Sequence, residues 1–276
     1  MSLADTIFQA NIADILLSDF NDNDQNVRPH WADGTPAHTK MVFGLTNRYD
    51  LSKEFPALTL RPVNFKAAVD EILWIWQKKS NKVADLHSHI WDSWAGEDGT
   101  IGKAYGYQLG KKAKYPEGEF DQVDRVLWQL KNEPASRRII TNIYNFEDLH
   151  EMNLYPCAYS MTFVVTGNKL NGILNQRSND MLVANNWNVV QYAVLLHMFA
   201  QVSGLEVGEL VHVIANAHIY DRHEEIAKEV IRRNPYPAPK LKINKDVKNF
   251  YDFNVEDFEL VDYQHGETVK GLPVAI

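Results

Sequence analysis

Apolar residues recur with helical spacing in five stretches of the chain. These stretches are LADTIFQANIADILL, NFKAAVDEILWIWQKKS, QVDRVLWQLKN, WNVVQYAVLLHMFAQVSGL and RHEEIAKEVIRRN. The residues expected on one side of the first helix are Leu3, Ile7, Ile12 and Leu16. The fourth stretch is apolar on nearly all sides, which predicts a central helix that is buried on most faces and ends at Gly204.

Other apolar runs predict strands. The run YSMTFVVTGNKLNGILNQRS predicts a β-hairpin that turns at Gly167–Asn168, with a second strand that ends at Arg177–Ser178. Further strands are predicted in SRRIITNIY, ELVHVIANAHIY, LKI and FELVDY. Because helices and strands follow one another without strict alternation, the pattern predicts an α+β fold in which helices pack on a mixed sheet.

Composition narrows the choice of protein class. The chain is 45% apolar with a single cysteine, so a large core is expected, and an internal disulfide or a cysteine-rich zinc site is excluded. No linker rich in Pro, Gly and Ser divides residues 1–276, so we predict one domain; a boundary inside residues 95–120 is the less favoured alternative. The N-terminal segment lacks a basic leader, and no apolar run approaches the roughly 20 residues that span a bilayer, so a cytoplasmic location is expected.

Basic and nucleophilic side chains lie where predicted elements begin or end. They are Arg28 in a polar loop, Arg137–Arg138 before a strand, Cys157 after a proline, and Arg177–Ser178 at the end of the hairpin. The formal net charge is −8, so positive charge for an anionic ligand must be local. Guanidinium groups bind phosphate oxygens in a bidentate manner, and they lower the pKa of a nearby thiol. Cys157 is therefore a candidate nucleophile, and a buried apolar cysteine is the alternative.

Three further features are candidates for binding or acid–base chemistry. Glu71 is predicted on the inner face of its helix, as an acid–base group or as one half of a buried ion pair. His218 and Tyr220 share a strand face and suit a sugar hydroxyl; a metal site with His223 is disfavoured because no third ligand follows at helical spacing. His197 lies in the apolar helix and is expected to be a core histidine.

Aromatic residues also occur in an irregular, glycine-broken segment, HIWDSWAGEDGTIGKAYG. Trp91, Trp94 and Tyr105 lie in this segment, which favours a binding surface, with packing beneath the loop as the alternative.

Six motifs together resemble thymidylate synthases of the folate-dependent, cysteine-nucleophile family. They are SRRIITNIYN, PCAYSMTFVVTGNKL, QRSNDM, WNVVQYAVLLHMFAQVSGLEVGE, HIYDRH and the terminal PVAI. The resemblance runs from about Arg28 to Ile276. It implies a homodimer formed through the sheet and the conversion of dUMP to dTMP, with 5,10-methylenetetrahydrofolate as co-substrate, dihydrofolate as second product and no metal.

The resemblance also implies roles for individual residues. The Cys157 thiolate would add to C6 of the uracil ring, Asn188 would bind O4 and N3–H, and Glu71 would order water and move protons. The phosphate ligands would be Arg28, Arg177 and Ser178, with Arg137 and Arg138 from the other subunit. The ribose ligands would be His218 and Tyr220; the folate contacts would be Trp91, Trp94, Asp180, Ala275 and Ile276, with Tyr105 near the reacting ring.

The chain departs from the family pattern at three places. Ala158 follows the cysteine where many relatives have histidine, Ala184 replaces a glycine near the ligands, and Ala215–Asn216 replaces a Gly–Asp pair before His218. An alternative is a deoxypyrimidine-monophosphate hydroxymethylase of the same fold, in which water captures the methylene intermediate. Asn188 argues against the cytosine-specific type of that enzyme, and the retained PVAI tail and Trp91 favour the synthase. A relative that binds nucleotide or RNA without turnover is disfavoured by the intact candidate site and by the acidic charge.

Overall fold

The computed structural model describes residues 2–276, and within them it has six α-helices and nine β-strands. The helices are α1 (Leu3–Leu17), α2 (Phe65–Trp76), α3 (Gly106–Gly110), α4 (Gln122–Asn132), α5 (Asn185–Val202) and α6 (Glu224–Val230). The strands are β1 (Thr39–Asp50), β2 (Ala113–Tyr115), β3 (Gly118–Phe120), β4 (Ile140–Asn142), β5 (Ala158–Thr166), β6 (Lys169–Asp180), β7 (Glu206–Tyr220), β8 (Lys240–Ile243) and β9 (Phe258–Val261). The predicted α+β class is confirmed.

Five of the strands form one mixed sheet in the order β1-β7-β6-β5-β4. The β6 and β7 strands are parallel, and the other neighbouring pairs are antiparallel. A parallel pair needs a crossover connection, and α5 supplies it. This arrangement places the ends of β6 and β7 beside the beginning of the crossover helix.

The crossover helix α5 is the centre of the core. It packs against β6, β7 and helix α2. The Trp76 indole at the end of α2 makes edge contacts with Phe163, Tyr192 and Phe199, with ring centroids 6.0–6.4 Å apart. A Cβ atom at Gly172 would lie 2.3 Å from Met161 Cε and 3.1 Å from a Leu196 methyl carbon, so the missing side chain lets α5 approach β6.

The opposite face of the sheet is apolar but exposed. Ile140 is in register with Thr162, and Thr162 with Ile173, so these residues share a face that also carries Val164. Ile140 is 55% exposed, Val164 40% and Ile173 36%. An exposed apolar face on a central sheet is typical of an interaction surface.

Two sequence expectations need correction. In α1, the predicted face was only partly right: Ile12 is buried, but Leu3 is 42% exposed, and Ala4 and Phe8 are buried instead. The buried side also holds Asp5, whose carboxylate accepts hydrogen bonds from the Thr59 and Leu60 amides. Because this polar residue lies on the buried face, the pattern of apolar residues does not identify that face.

The second correction concerns the end of the hairpin. The β6 strand continues to Asp180 rather than ending at Arg177–Ser178, because its pairing with β7 continues to Asp180 and His218. Ser178 is consequently in register with Asn216, one strand away.

Candidate functional site

A single cavity of about 720 Å³ collects most of the predicted site residues. It lies where α2, the beginning of α5 and the ends of β6 and β7 meet the C-terminal tail. Fourteen of the sixteen predicted residues line it: Arg28, Glu71, Trp91, Trp94, Tyr105, Cys157, Arg177, Ser178, Asp180, Asn188, His218, Tyr220, Ala275 and Ile276. The other two, Arg137 and Arg138, are exposed just before β4 and do not line the cavity.

Cys157 precedes β5, next to an irregularity in the pairing of β5 with β6. The Cys157 amide donates to the Tyr105 hydroxyl at 3.1 Å, and Arg177 Nη2 lies 3.7 Å from the thiol sulfur. Burial raises the pKa of the Cys157 thiol, while Arg177, Tyr105 and Arg28 oppose that rise. The thiol is therefore screened from bulk water but faces positive charge. Such a site favours the thiolate more than a purely apolar site would.

Arg177 is itself held rigidly by the backbone beside the thiol. Its Nε donates to the Pro156 carbonyl at 3.0 Å, and its Nη2 donates to the Tyr155 carbonyl at 2.8 Å. A backbone bond from the Arg177 amide to the Cys157 carbonyl at 2.9 Å joins the two segments. The guanidinium is thus fixed between the sulfur and the cavity.

Glu71 lies on the inner face of α2 and is 6% exposed. One carboxylate oxygen accepts from Trp91 Nε1 at 2.8 Å; the other accepts from Trp187 Nε1 and from Gln191 Nε2, the latter at 2.8 Å. Burial raises the pKa of Glu71, and the three donors oppose the rise. The expected inner-face position holds, whereas the ion-pair alternative fails because the partners are neutral N–H groups. A carboxyl whose pKa is raised in this way is suited to release and take up a proton during a reaction.

Asn188 lies in the first turn of α5, and its side chain is surrounded by amides. Its Oδ1 accepts from Gln176 Nε2 at 3.1 Å and from Asn179 Nδ2 at 3.2 Å, and its Nδ2 donates to Gln191 Oε1 at 3.2 Å. The amide is half-buried and lines the cavity, so it can offer its second N–H to a planar ring, and its oxygen can accept from the ring if one of its two present donors moves away.

His218 and Tyr220 lie on the same side of β7, with ring centroids 5.2 Å apart. His218 Nδ1 contacts Asn216 Oδ1 at 2.9 Å, and burial lowers the pKa of the imidazole. The neutral ring donates to Asn216 and keeps Nε2 as an acceptor towards the cavity. The Asn216 departure thus preserves a hydrogen bond to His218 while removing a negative charge.

One wall of the cavity is aromatic, and the C-terminal tail also lines the cavity. The Trp91 ring lies 5.6 Å from Trp94 and 5.1 Å from Tyr105, measured between centroids. The backbone of Ile276 makes two hydrogen bonds with His30, at 2.9 and 3.0 Å. An aromatic wall in a cavity with apolar lining suits a flat ring system. Trp91 is 6% exposed, so the predicted binding surface and the packing alternative both apply to it.

Ala184 and Ala158 fit their positions without strain. Ala184 precedes α5 with φ −101° and ψ −25°, a conformation open to any residue, so glycine is not required there. Asp180 Oδ1 accepts from the Leu182 and Val183 amides at 2.9 and 3.0 Å and organises this turn. Ala158 is 5% exposed and lines the cavity beside Cys157.

Sequence reasoning missed several cavity residues. Trp187, Gln176 and Gln191 contact the candidate catalytic groups, and Arg61 also lines the cavity. A signal existed for Gln191, which follows Asn188 by three residues and therefore lies on the same helix face. Nothing in the sequence around Arg61 distinguishes it from a surface arginine.

Residues 2–276 contain neither a candidate metal-binding cluster nor a helix suited to crossing a membrane. No group of three or more His, Cys, Asp or Glu side chains is arranged to hold a metal ion there. None of the helices in that range combines the length and apolarity needed to cross a membrane.

Known proteins with similar sequence or structure all indicate the same family for this chain. The family model described as thymidylate synthase matches residues 6–276. A thymidylate synthase of Bacillus licheniformis is 48% identical over 272 residues, covering 97% of each chain, and that of Bacillus phage phi3T is 47% identical with the same coverage. The solved structure of thermostable thymidylate synthase A from Bacillus subtilis has a TM-score of 0.94 and 46% identity over 99% of both chains.

The contact between Arg177 and the thiol predicts how Cys157 titrates. Replacing Arg177 with leucine removes a positive charge that lowers the thiol pKa, so the pKa should rise further and alkylation at a fixed pH should slow. The measurement is the pH dependence of iodoacetamide alkylation, which reports one residue because the chain has one cysteine.

Two variants serve as controls. Arg177→Lys keeps the charge, so its titration midpoint should lie between those of the wild type and the leucine variant. Arg48→Leu removes an exposed arginine that pairs with Glu209, and it should leave the midpoint in place. A midpoint unmoved by Arg177→Leu would contradict the electrostatic role of the guanidinium.

Proposed function

The chain belongs to the thymidylate synthase family, and from this premise we propose that Cys157, Glu71 and Asn188 perform the family's reaction in the cavity described above. The reaction is the reductive methylation of dUMP to dTMP, with 5,10-methylenetetrahydrofolate as the source of both the one-carbon unit and the hydride. Dihydrofolate is the second product. The observation that carries the proposal is the convergence of a single thiol, a buried carboxyl and a fixed amide on one cavity.

Cys157 is the proposed nucleophile. Its thiolate adds to C6 of the uracil ring, and the electrons of the C5–C6 double bond move towards C5 and O4. Arg177, 3.7 Å from the sulfur, stabilises the thiolate before attack. C5 is then nucleophilic enough to attack the one-carbon unit of the folate. Loss of the C5 proton and departure of tetrahydrofolate give an exocyclic methylene intermediate. A hydride from tetrahydrofolate adds to this methylene group, which gives dihydrofolate, and the C6–S bond breaks to release the Cys157 thiolate.

Asn188 stabilises the negative charge that this addition creates, and Glu71 transfers the protons that the reaction requires. The Asn188 Nδ2 atom donates to O4 as negative charge grows there, and Oδ1 accepts from N3–H. Glu71 moves protons at O4 through ordered water and acts again during one-carbon transfer. Its raised pKa supports this role, because a carboxyl that is ionised at every working pH could not supply a proton.

The phosphate and the sugar of dUMP are assigned to a further group of cavity residues. Arg28, Arg177 and Ser178 are the proposed phosphate ligands of this subunit, and His218 with Tyr220 is proposed to bind the ribose 3′-hydroxyl. Three positive or hydroxyl donors at one end suit a dianionic phosphate.

The folate is proposed to lie against Trp91 and Trp94, with Asp180 hydrogen-bonded to its ring and Tyr105 near the reacting carbon. Ala275 and Ile276 would cover it, as the tail already hydrogen-bonds to His30. When the tail closes over the folate, it keeps water from the methylene intermediate, so the intermediate is reduced by hydride and not hydrated. The hydroxymethylase alternative, which needs water at that carbon, is not favoured.

A homodimer through the exposed sheet face completes the proposed site. Ile140, Val164 and Ile173 form an apolar patch that a second copy would cover. Arg137 and Arg138 lie just before β4 at the edge of this sheet, and we propose that they reach the phosphate of the partner subunit. The cytoplasmic location and the single-domain boundaries at 1–276 remain predictions, and RNA binding is not proposed.

Replacing the nucleophile tests the chemical proposal. In Cys157→Ser, dTMP formation should fall by at least about a thousandfold, because the weaker hydroxyl nucleophile cannot add to C6 at a useful rate. The dUMP affinity, measured by calorimetry on the same preparation, should remain close to that of the wild type, since the sulfur is not a proposed binding group. Turnover at the wild-type rate in this variant would rule out covalent catalysis by Cys157.

Mixing two inactive variants tests the shared site. Cys157→Ser removes the nucleophile of its own cavity, and a subunit with Arg137 and Arg138 both changed to leucine fails to complete its partner's cavity. In a mixed dimer, the arginines of the first subunit complete the cavity of the second. Random reassortment should restore about a quarter of wild-type activity, because half of the dimers are mixed and each has one complete site. If the arginines serve their own subunit, the mixture stays inactive.

A further inference from the structure

Asn188 belongs to a chain of buried amides that connects it to Glu71. Asn188 Nδ2 donates to Gln191 Oε1 at 3.2 Å, and Gln191 Nε2 donates to Glu71 Oε2 at 2.8 Å. On its other side, Asn188 Oδ1 accepts from Gln176 Nε2 at 3.1 Å. Gln191 is 2% exposed and Gln176 3%, so water does not offer either of them alternative partners.

Backbone carbonyls fix the direction of both glutamine amides. A carbonyl oxygen can only accept, so it identifies which end of the neighbouring amide is the NH2 group. Gln191 Nε2 also donates to the Ala68 carbonyl at 3.3 Å, and Gln176 Nε2 also donates to the Ser178 carbonyl at 3.1 Å. The oxygen of Gln176 meets His212 Nε2 at 2.8 Å, which closes that end of the chain. Gln191 therefore presents its oxygen to Asn188, whatever the protonation state of Glu71.

A reversed Asn188 amide would conflict with these neighbours. Its oxygen would face Gln191 Oε1, and its NH2 group would face the NH2 groups of Gln176 and Asn179. Each contact would change from a hydrogen bond to a contact between like groups. In the observed orientation, Asn188 keeps one N–H for a ligand in the cavity. Its oxygen accepts from Gln176 and Asn179, so a ligand N–H would take the place of one of these donors or share the oxygen with it.

We propose that Gln191 is a positioning residue that fixes the amide orientation of Asn188 and thereby favours uracil over cytosine. The inference rests on the proposed role of Asn188 in binding the pyrimidine. Uracil presents an O4 acceptor and an N3–H donor, which match the observed orientation. Cytosine presents an N4 donor and an N3 acceptor, so it requires the reversed amide that Gln191 opposes.

Three glutamine variants test this role. Gln191→Met keeps the size of the side chain but removes the acceptor that faces Asn188. Gln191→Glu keeps an acceptor at that position and instead places a second carboxylate beside Glu71. Gln201→Met is the matched control, because Gln201 lies on the same helix and donates to the Asn244 and Val247 carbonyls away from the cavity. The dissociation constants for dUMP and dCMP are measured by calorimetry, and folding is checked by near-ultraviolet circular dichroism.

The preference for dUMP over dCMP should fall by about tenfold in Gln191→Met, the factor expected when one hydrogen bond no longer opposes the reversed amide. Gln191→Glu should keep the wild-type preference although its kcat falls, and Gln201→Met should match the wild type in both respects. If Gln191 only filled space in the core, the preference for dUMP and the kcat would not change independently in the two Gln191 variants.

Several results would overturn the role of Gln191. They are an unchanged preference in folded Gln191→Met, an equal loss in the methionine and glutamate variants, or, if the methionine variant does not fold, a lost preference in Gln191→Glu. A wild-type protein that binds dUMP no better than dCMP would overturn the proposed role of Asn188 itself.

Discussion

The arrangement of the site depends on a buried carboxylate that has no cation beside it. Glu71 is held by neutral donors from Trp91, Trp187 and Gln191. Burying an ionised carboxyl costs several kcal/mol, and each hydrogen bond to a charged group returns about 1.5–3 kcal/mol. Three donors are therefore enough to keep the ionised form accessible without removing the cost of burial. A lysine in their place would hold the group permanently ionised, whereas these donors leave it able to exchange a proton.

The donors to Glu71 come from separate parts of the chain, so the fold must bring those parts together. Helix α2 carries the carboxyl, α5 carries Trp187 and Gln191, and the irregular segment before α3 carries Trp91. The parallel pairing of β6 and β7 requires a crossover, and the crossover helix is the one that carries Asn188. The same pairing places Asp180 beside His218. One topological feature therefore positions the groups that are proposed to bind the base, the ribose and the folate.

Much of this could be predicted from the sequence. Local pattern was sufficient for α5, the β5–β6 hairpin and the α+β class, because burial and turn residues decide these elements locally. Most candidate residues were found from residue type and position, whereas Asn188, Asp180, Ala275 and Ile276 came only from the resemblance. The resemblance was also needed to assign the individual roles, because Glu71 and Cys157 are far apart in the sequence and no local rule connects them. The prediction of the buried face of α1 was inaccurate because Asp5 lies on that face, where its carboxylate accepts hydrogen bonds from the amides of another segment. Gln191 was missed although it lies three residues after Asn188, because its bond to Glu71 joins two helices that are far apart in the sequence. Arg137 and Arg138 acquire their proposed role only with a second subunit.

The central claim is that the closed cavity delivers a hydride, and not water, to the methylene intermediate formed on the Cys157 adduct. The most direct test supplies dUMP tritiated at C5 together with 5,10-methylenetetrahydrofolate, and follows tritium release and dihydrofolate absorbance in the same sample. The account predicts that one dihydrofolate forms for each tritium released. Tritium release without dihydrofolate would contradict it, because it would mean that water captures the intermediate.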